Sequence, residues 1–309
     1  MRPRTVDLFC GCGGLSAGLA SEGFDVVAGI DSWEPALRVY GANSSHSAIQ
    51  HDLSDEAGTL GIVSKYRPDV IAGGPPCQDF SSAGKREEGR RADLTPSFAR
   101  LVAAVKPRAF IMENVSIAGK SRAYATATEI FRSAGYGLTV RVLDASLCGV
   151  PQKRKRLFMV GALGAVDGFL DGALDGGLSK TPMTLRDYFG DSLGFEHYYR
   201  HPRSYHRRAV FSIDDPSPTI RGVNRPKPAN YNKHEGDPVD PETVRAMTFR
   251  ERALVQTFPE SYAWPEGMAK TDLEQMVGNA VPVGLAAYVG RHLLSWLISS
   301  QGETLLAAE

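Results

Sequence analysis

The sequence predicts an α/β protein: a doubly wound, mostly parallel sheet with a smaller, loop-rich domain late in the chain. Three observations predict it. Between Thr5 and Ala162 short β-rich runs alternate with helical patterns, the signature of βαβ units. Asp31, Cys77 and Glu113 fall at or just past predicted strand ends, which in such sheets share one ligand-binding rim. From about Leu178 the texture changes: Pro, Arg, His, Tyr and Asn become frequent and helical periodicity fades.

Taken in order, "TVDLF" (Thr5 to Phe9) is a short strand, and "CGCGGLSAGLASEGF" a glycine-rich turn followed by a helix from about Leu15 to Ser21. "DVVAGID" (Asp25 to Asp31) is a strand ending in an acid, and "EPALRVYGAN" a helix. "DVIAGG" (Asp69 to Gly74) is a strand that runs into a Pro-Pro-Cys corner, and "TPSFARLVAAVKP" a helix. "AFIMENV" (Ala109 to Val115) is a strand ending in Glu113 and Asn114. "YATATEIFRSAGY" is a helix, and "LTVRVLDA" and "RLFMVGA" are strands. "PSPTIRGVNRPKPANYNKHEGDP" is turn-rich and basic, whereas "VPVGLAAYVGRHLLSWLISS" is an amphipathic helix. These shifts divide the chain into 1–178, the large α/β domain; 179–267, a smaller loop-rich domain; and 268–309, a return to the first domain.

The 309 residues suffice for one large and one small domain. At 42% hydrophobic and 23% charged, the chain reads as an ordinary soluble protein. No apolar run approaches the ~20 residues of a membrane helix. The start, "MRPRTVDLFCGCGG", lacks the apolar core of a secretory signal, so the cytoplasm is the expected compartment. Four cysteines (10, 12, 77 and 148) without a signal argue against a disulfide framework. The Cys10/Cys12 pair has no second Cys/His pair at zinc spacing, so no metal site is expected. Free thiols remain, and one is available as a nucleophile. Net charge is zero, yet between Arg200 and Lys233 eight Lys/Arg face two acids. That is a solvated surface or a patch that tracks phosphates.

Two stretches carry chemistry. In "DLFCGCGGLSAGL" the glycines let the backbone approach a ligand, but the spacing departs from G-x-G-x-x-G, so pyrophosphate is not the expected guest. Asp31, 17 residues after Gly14, suits ribose hydroxyls, so a nucleoside cofactor without a diphosphate fits both features. In "GGPPCQDFSS" Cys77 follows a stiff Pro-Pro pair and precedes polar residues, unlike a thiol buried among apolar neighbours.

The ordered set "DLFCGCGG", Asp31, "HDL" at 51–53, "GGPPCQDFSS", "MENV", "QKRKRLFMVG", "RERALVQTFP" and "VGNAVP" resembles the C5-cytosine DNA methyltransferases of the bacterial restriction–modification type, from Asp7 to Pro282. The resemblance implies a Rossmann-like, S-adenosyl-L-methionine-dependent enzyme, with S-adenosyl-L-homocysteine as product, and a target-recognition domain that holds double-stranded DNA in a cleft. It also implies a C-terminal segment, "GNAVP", that rejoins the catalytic domain beside its first turn. By matching motifs, Phe9, Gly11, Gly13 and Gly14 would line the cofactor pocket and Asp31 would hold the ribose. Asp52 and Leu53 would flank the adenine, with Pro76, Leu94, Asn279 and Val281 completing the pocket. Related enzymes often carry an aromatic or apolar residue directly after the strand-end acid. Here Ser32 stands there with Trp33 next, and either is a candidate for the adenine face.

Carbon 5 of cytosine is a poor nucleophile, and thiolate addition at carbon 6 activates it, which calls for an exposed cysteine. Cys77 fits, with Pro75 and Pro76 fixing its approach; Cys10, Cys12 and Cys148 are expected to be structural. Glu113 is expected to protonate or hydrogen-bond N3, its carboxyl raised by burial, with Asn114 bracing the loop. In "QKRKR", alternation puts Gln152, Arg154 and Arg156 on one side. The resemblance has Arg154 contacting the cytosine carbonyl or stabilising the developing charge, and Arg156 orienting neighbours by bidentate pairing.

A base in a duplex cannot meet Cys77 unless it is flipped out. The polar segment 78–94 is expected to close on DNA, with Ser81, Lys85 or Arg86 near phosphates or the vacated position. Arg221, Asn224, Arg225 and Lys227 are candidates for DNA contact, whether to bases or to phosphates. Methylation of tRNA and a catalytically silent DNA-binding regulator are the other readings. The basic region favours DNA, and intact Cys77, Glu113 and Arg154 count against silence. A monomer is expected, alongside a cognate restriction endonuclease acting independently.

Overall fold

The computed structural model describes residues 2–76, 94–202, 204, 206–228, 231 and 233–306. Cys77, Ser81, Lys85 and Arg86 lie outside the described residues, as does nearly all of 78–94. The order is β1 (Arg4–Leu8), α1 (Gly14–Ser21), β2 (Asp25–Asp31), α2 (Glu34–Ala42), β3 (Ser47–Gln50), α3 (Glu56–Tyr66), β4 (Val70–Gly73), α4 (Leu94–Val105), β5 (Ala109–Val115), α5 (Arg122–Ser133), β6 (Tyr136–Asp144), β7 (Gln152–Lys153) and β8 (Lys155–Leu163). Then come α6 (Asp171–Gly176), α7 (Leu185–Phe189), β9 (His197–Tyr199), β10 (Val210–Ser212), β11 (Ser217–Pro218), α8 (Phe249–Val255), α9 (Lys270–Asn279) and α10 (Val283–Leu306).

Seven strands form one sheet in the order β3-β2-β1-β4-β5-β8-β6. The first five are parallel and β8 runs antiparallel to both of its neighbours. The direction of winding reverses between β1 and β4, which opens a crevice at their carboxyl ends. One face carries α1, α6 and α10, packed through Leu15, Leu19, Leu170, Leu174, Leu285 and Val289. The other carries α4 and α5, where Phe98, Phe110, Phe131 and Tyr136 form an aromatic cluster. Cys10, Cys12 and Cys148 are buried free thiols; burial pushes Cys12 and Cys148 each up to about 12, so they stay protonated.

One sequence expectation is corrected. Lys270–Ser300 is apolar and long enough, by composition and length, to cross a membrane. The segment is broken between α9 and α10, and α10 packs on α1 in the core. A Cβ on Gly18 would stand 2.4 Å from the Val283 carbonyl oxygen, a contact close enough to require glycine. It is a core helix pair of this fold.

The loop-rich region builds a third core. Tyr198, Phe211, Ile220 and Met247 meet Phe258 and Tyr262, Leu273 and Met276 of α9, and Cys12 of the first turn. Its loops are tied by polar hubs. The Asp237 carboxylate accepts from the backbone N–H of Ala209, Val210 and His234 and from the Tyr231 hydroxyl.

Candidate active site and cofactor crevice

The turn after β1 winds left-handed at three positions: Phe9 (φ 57°), Gly11 (φ 52°) and Gly13 (φ 94°). A Cβ on Gly11 would meet nothing within 4 Å, so that glycine faces open space. At Gly13 it would strike the Tyr262 hydroxyl at 2.7 Å, and at Gly14 the Val281 carbonyl oxygen at 2.2 Å. Close packing of the chain on itself therefore explains the second and third glycines; Gly11 is the one that opens to a guest. Asp31 closes the turn, accepting from the Gly11 N–H at 2.8 Å and the Trp33 N–H at 2.9 Å. A carboxylate has about four acceptor positions, so two remain for other donors.

Beside this turn lies a cavity of about 260 Å³ between α3, α4 and the end of β1, lined by Leu8, Phe9, Leu53, Leu60, Phe98 and Leu101. Leu94 and Val281 are buried, while Ser32, Asp52, Pro76 and Asn279 are exposed. Trp33 packs against the third core. Ser32 is the exposed one of the pair. Of the cofactor candidates Phe9 and Leu53 line this cavity, and its mostly apolar wall fits an adenine-type ring.

Across the crevice, Glu113 and Asn114 are the last buried residues of β5. The Glu113 Oε1 lies 3.0 Å from Arg156 Nε, and a Cβ on Gly74 would stand 3.1 Å from Glu113 Oε2. The carboxylate thus abuts the start of the Gly-Pro-Pro corner. Burial pushes its pKa above the usual carboxylate range, and Arg156 and Arg154 oppose this. Asn114 Nδ2 donates to the Pro75 carbonyl oxygen at 2.9 Å and its Oδ1 accepts from Val115 N–H, bracing the corner.

The structure places the two arginines differently: Arg156 stands beside a neighbour it can orient, as expected, whereas Arg154 is turned into the protein. Arg154 is 1% exposed and cannot present itself to a base: its guanidinium donates to the carbonyls of Ile220, Gly278 and Ala280 at 2.8–3.0 Å. Arg156 is the one beside Glu113. The β5–β8 register explains this: Arg156 stands opposite Val115, which puts Glu113 on its diagonal.

The recognition candidates are also reassigned in part. The Asn224 amide donates to the Met247 carbonyl and to Glu274 Oε1, so its two N–H donors are already engaged within the protein. Lys227 pairs with Glu242, and Arg221 donates to the His201 carbonyl. Arg225 is exposed. Four residues central to this region escaped the sequence reading: Arg252, Gln256, Glu274 and Asp237. Arg252 and Glu274 form a buried ion pair, each about 5% exposed. A T-x-x-E capping signature at Thr248/Glu251 marked the helix that carries Arg252, but nothing marked its partner.

Residues 3–193 and 179–295 match the profile of the C-5 cytosine-specific DNA methylases. The chain is 51% identical over 296 residues to the Type II methyltransferase M.HindV of Haemophilus influenzae, spanning 95% of this chain and 97% of that one. It is 48% identical over 295 residues to the Type II methyltransferase M.HgiDI of Herpetosiphon aurantiacus, spanning 95% of each. In fold it resembles the crystal structure of the S. pombe Dnmt2 methyltransferase, with a TM-score of 0.74 at 19% identity over 96% of this chain and 99% of that one.

Proposed function

The chain belongs to the C-5 cytosine-specific DNA methylase family, and from that premise we propose how its own residues divide the work. It is a DNA cytosine-5 methyltransferase. The observation that carries the assignment of roles is the buried Glu113–Arg156 pair set against the Gly74–Pro76 corner that leads into Cys77.

In this reading the Cys77 thiolate adds to carbon 6 of an extruded cytosine. The S–C6 bond forms, and the electron pair of the C5–C6 double bond becomes available at carbon 5. Glu113 holds a proton at N3, which burial favours and which limits the charge left on the ring. Arg156 orients the Glu113 carboxyl, and Asn114 holds Pro75 so that the corner keeps its angle. Loss of the C5 proton expels the thiolate. S-adenosyl-L-methionine supplies an electrophilic methyl group when bound. The turn Phe9–Gly14 and Asp31 would hold its ribose, and Leu53, Asp52, Pro76, Leu94, Asn279 and Val281 the rest of the nucleoside, with Ser32 at the exposed edge.

We assign residues 1–178 and 268–309 to catalysis and cofactor binding and 179–267 to target recognition. Arg221 and Arg225 are the members of the basic segment best suited to double-stranded DNA. The Type II relatives favour a restriction–modification role; we further propose an independent nuclease, a bacterial cytoplasm and a monomer. Bisulfite sequencing of a methylation-free bacterial host expressing the chain tests this. Protected cytosines in one short motif, lost with Cys77→Ser, are expected. Unprotected DNA from a host containing folded protein would overturn it and turn attention to RNA.

A further inference from the structure

The segment that starts the basic loops and the segment that closes the cofactor crevice meet at one buried polar node. Both main-chain groups of Ile220 are held by side chains from β7 and just after it. The Gln152 Oε1 accepts from Ile220 N–H at 2.8 Å, and Arg154 Nη1 donates to Ile220 carbonyl oxygen at 2.8 Å. The same guanidinium reaches Gly278 and Ala280 through Nη2. Gln152 Nε2 donates to Gln256 Oε1 at 2.8 Å, and Gln256 Nε2 donates to the carbonyls of Val277 (2.6 Å) and Ala280 (3.2 Å). Gln152 and Gln256 are fully buried.

These bonds clamp two backbones together. A Cβ on Gly278 would lie 2.1 Å from Gly222 N and 2.2 Å from the Arg221 carbonyl carbon, so the two chains pass in direct contact. Arg221 is on one side of this contact, and Asn279 and Val281 follow on the other. Burying a guanidinium on neutral carbonyls is costly compared with an apolar filling of the same volume. Its value lies in holding several groups in one register.

We infer that Gln152, Arg154 and Gln256 are positioning residues that make cofactor binding and DNA binding interdependent, by fixing segment 220–222 to segment 278–280. This rests on the proposed assignment of those segments to DNA and to cofactor. A shift of either segment on binding is passed to the other, because the node bridges them and Gly278 leaves no slack.

The test is the Kd of S-adenosyl-L-homocysteine for the full chain, with and without a saturating duplex carrying the motif found by bisulfite sequencing. In the wild-type chain the duplex should tighten the nucleoside by about five-fold or more. Gln256→Met keeps the volume and loses the amide; there the ratio should fall to about one, while binding of the nucleoside alone persists. Phe110→Leu, a change in the aromatic cluster, should lower the Tm and leave the ratio intact. If Gln256→Met does not fold, Arg154→Lys, which cannot span both segments at once, replaces it. A variant ratio equal to the wild-type ratio, or a wild-type ratio of one, overturns the inference. Failure of the wild-type chain to bind the nucleoside at all would instead overturn the functional assignment beneath it.

Discussion

The two walls of the crevice are held by different physics. The sheet side rests on apolar faces: Phe110 stacks on Phe131 at 3.9 Å, with Phe98 and Tyr136 edge-on, all nearly inaccessible to water. The loop-rich side rests on buried hubs: Asp237 with four donors and the Arg252–Glu274 pair. Apolar area stabilises without regard to direction, so it tolerates apolar swaps that keep the volume but not truncation. A hub fixes direction, so loops without helical or sheet order can still present side chains in one arrangement.

If that contrast holds, damage on each side should differ in size and reach. Phe110→Ala should cost about 3–5 kcal/mol and lower the urea midpoint of the whole chain. Asp237→Ala leaves three buried donors and one half-buried donor without their acceptor and should cost about 2–4 kcal/mol, with faster amide exchange at Ala209, Val210 and His234. DNA affinity should drop in that variant while S-adenosyl-L-homocysteine binding persists; equal loss of both would break the contrast.

Acid should separate the two sides as well. Burial pushes Asp7, which accepts from Ser16 Oγ at 2.6 Å, up to about 7. The folded chain then keeps a proton that the unfolded chain loses near 3.8, so stability falls as pH rises from about 4 to 7, by at most ~1.4 kcal/mol per unit. Asp7→Asn should flatten that slope in urea titrations. Asp237 has the opposite sign: its donors hold the carboxyl below the usual range. Its contribution is present above about pH 4 and is lost as pH falls through the folded value. Exchange in the Asp237 loops should therefore rise first in acid. The smallest effect expected is Arg186→Ala, whose partners are exposed; the Tm should not move measurably.

The same contrast explains what was legible in the sequence. Strands such as Ala109–Val115 and helices such as Leu94–Val105 announced themselves through buried periodic faces. β3 and α3 did not. β3 is an edge strand with little burial, and α3 buries only Thr59 and Val63, so neither carries a readable apolar period. The alternation in "QKRKR" was visible, but which arginine meets Glu113 depends on the β5–β8 register, which no local pattern encodes. The hubs were unreadable for the same reason: Gln152 and Gln256, or Arg252 and Glu274, are joined only by the fold.

The division of roles stands or falls with Cys77 as the nucleophile at a corner governed by Glu113 and Arg156. The most direct test is a duplex with 5-fluorocytosine in the methylated motif, incubated with S-adenosyl-L-methionine and digested for peptide mass spectrometry. Fluorine cannot leave as a proton does, so the adduct is trapped. The oligonucleotide mass is expected on the peptide containing Cys77, its yield sharply reduced in Glu113→Gln and Arg156→Lys. An adduct on Cys10, Cys12 or Cys148, or undiminished methylation by Cys77→Ser, would contradict it.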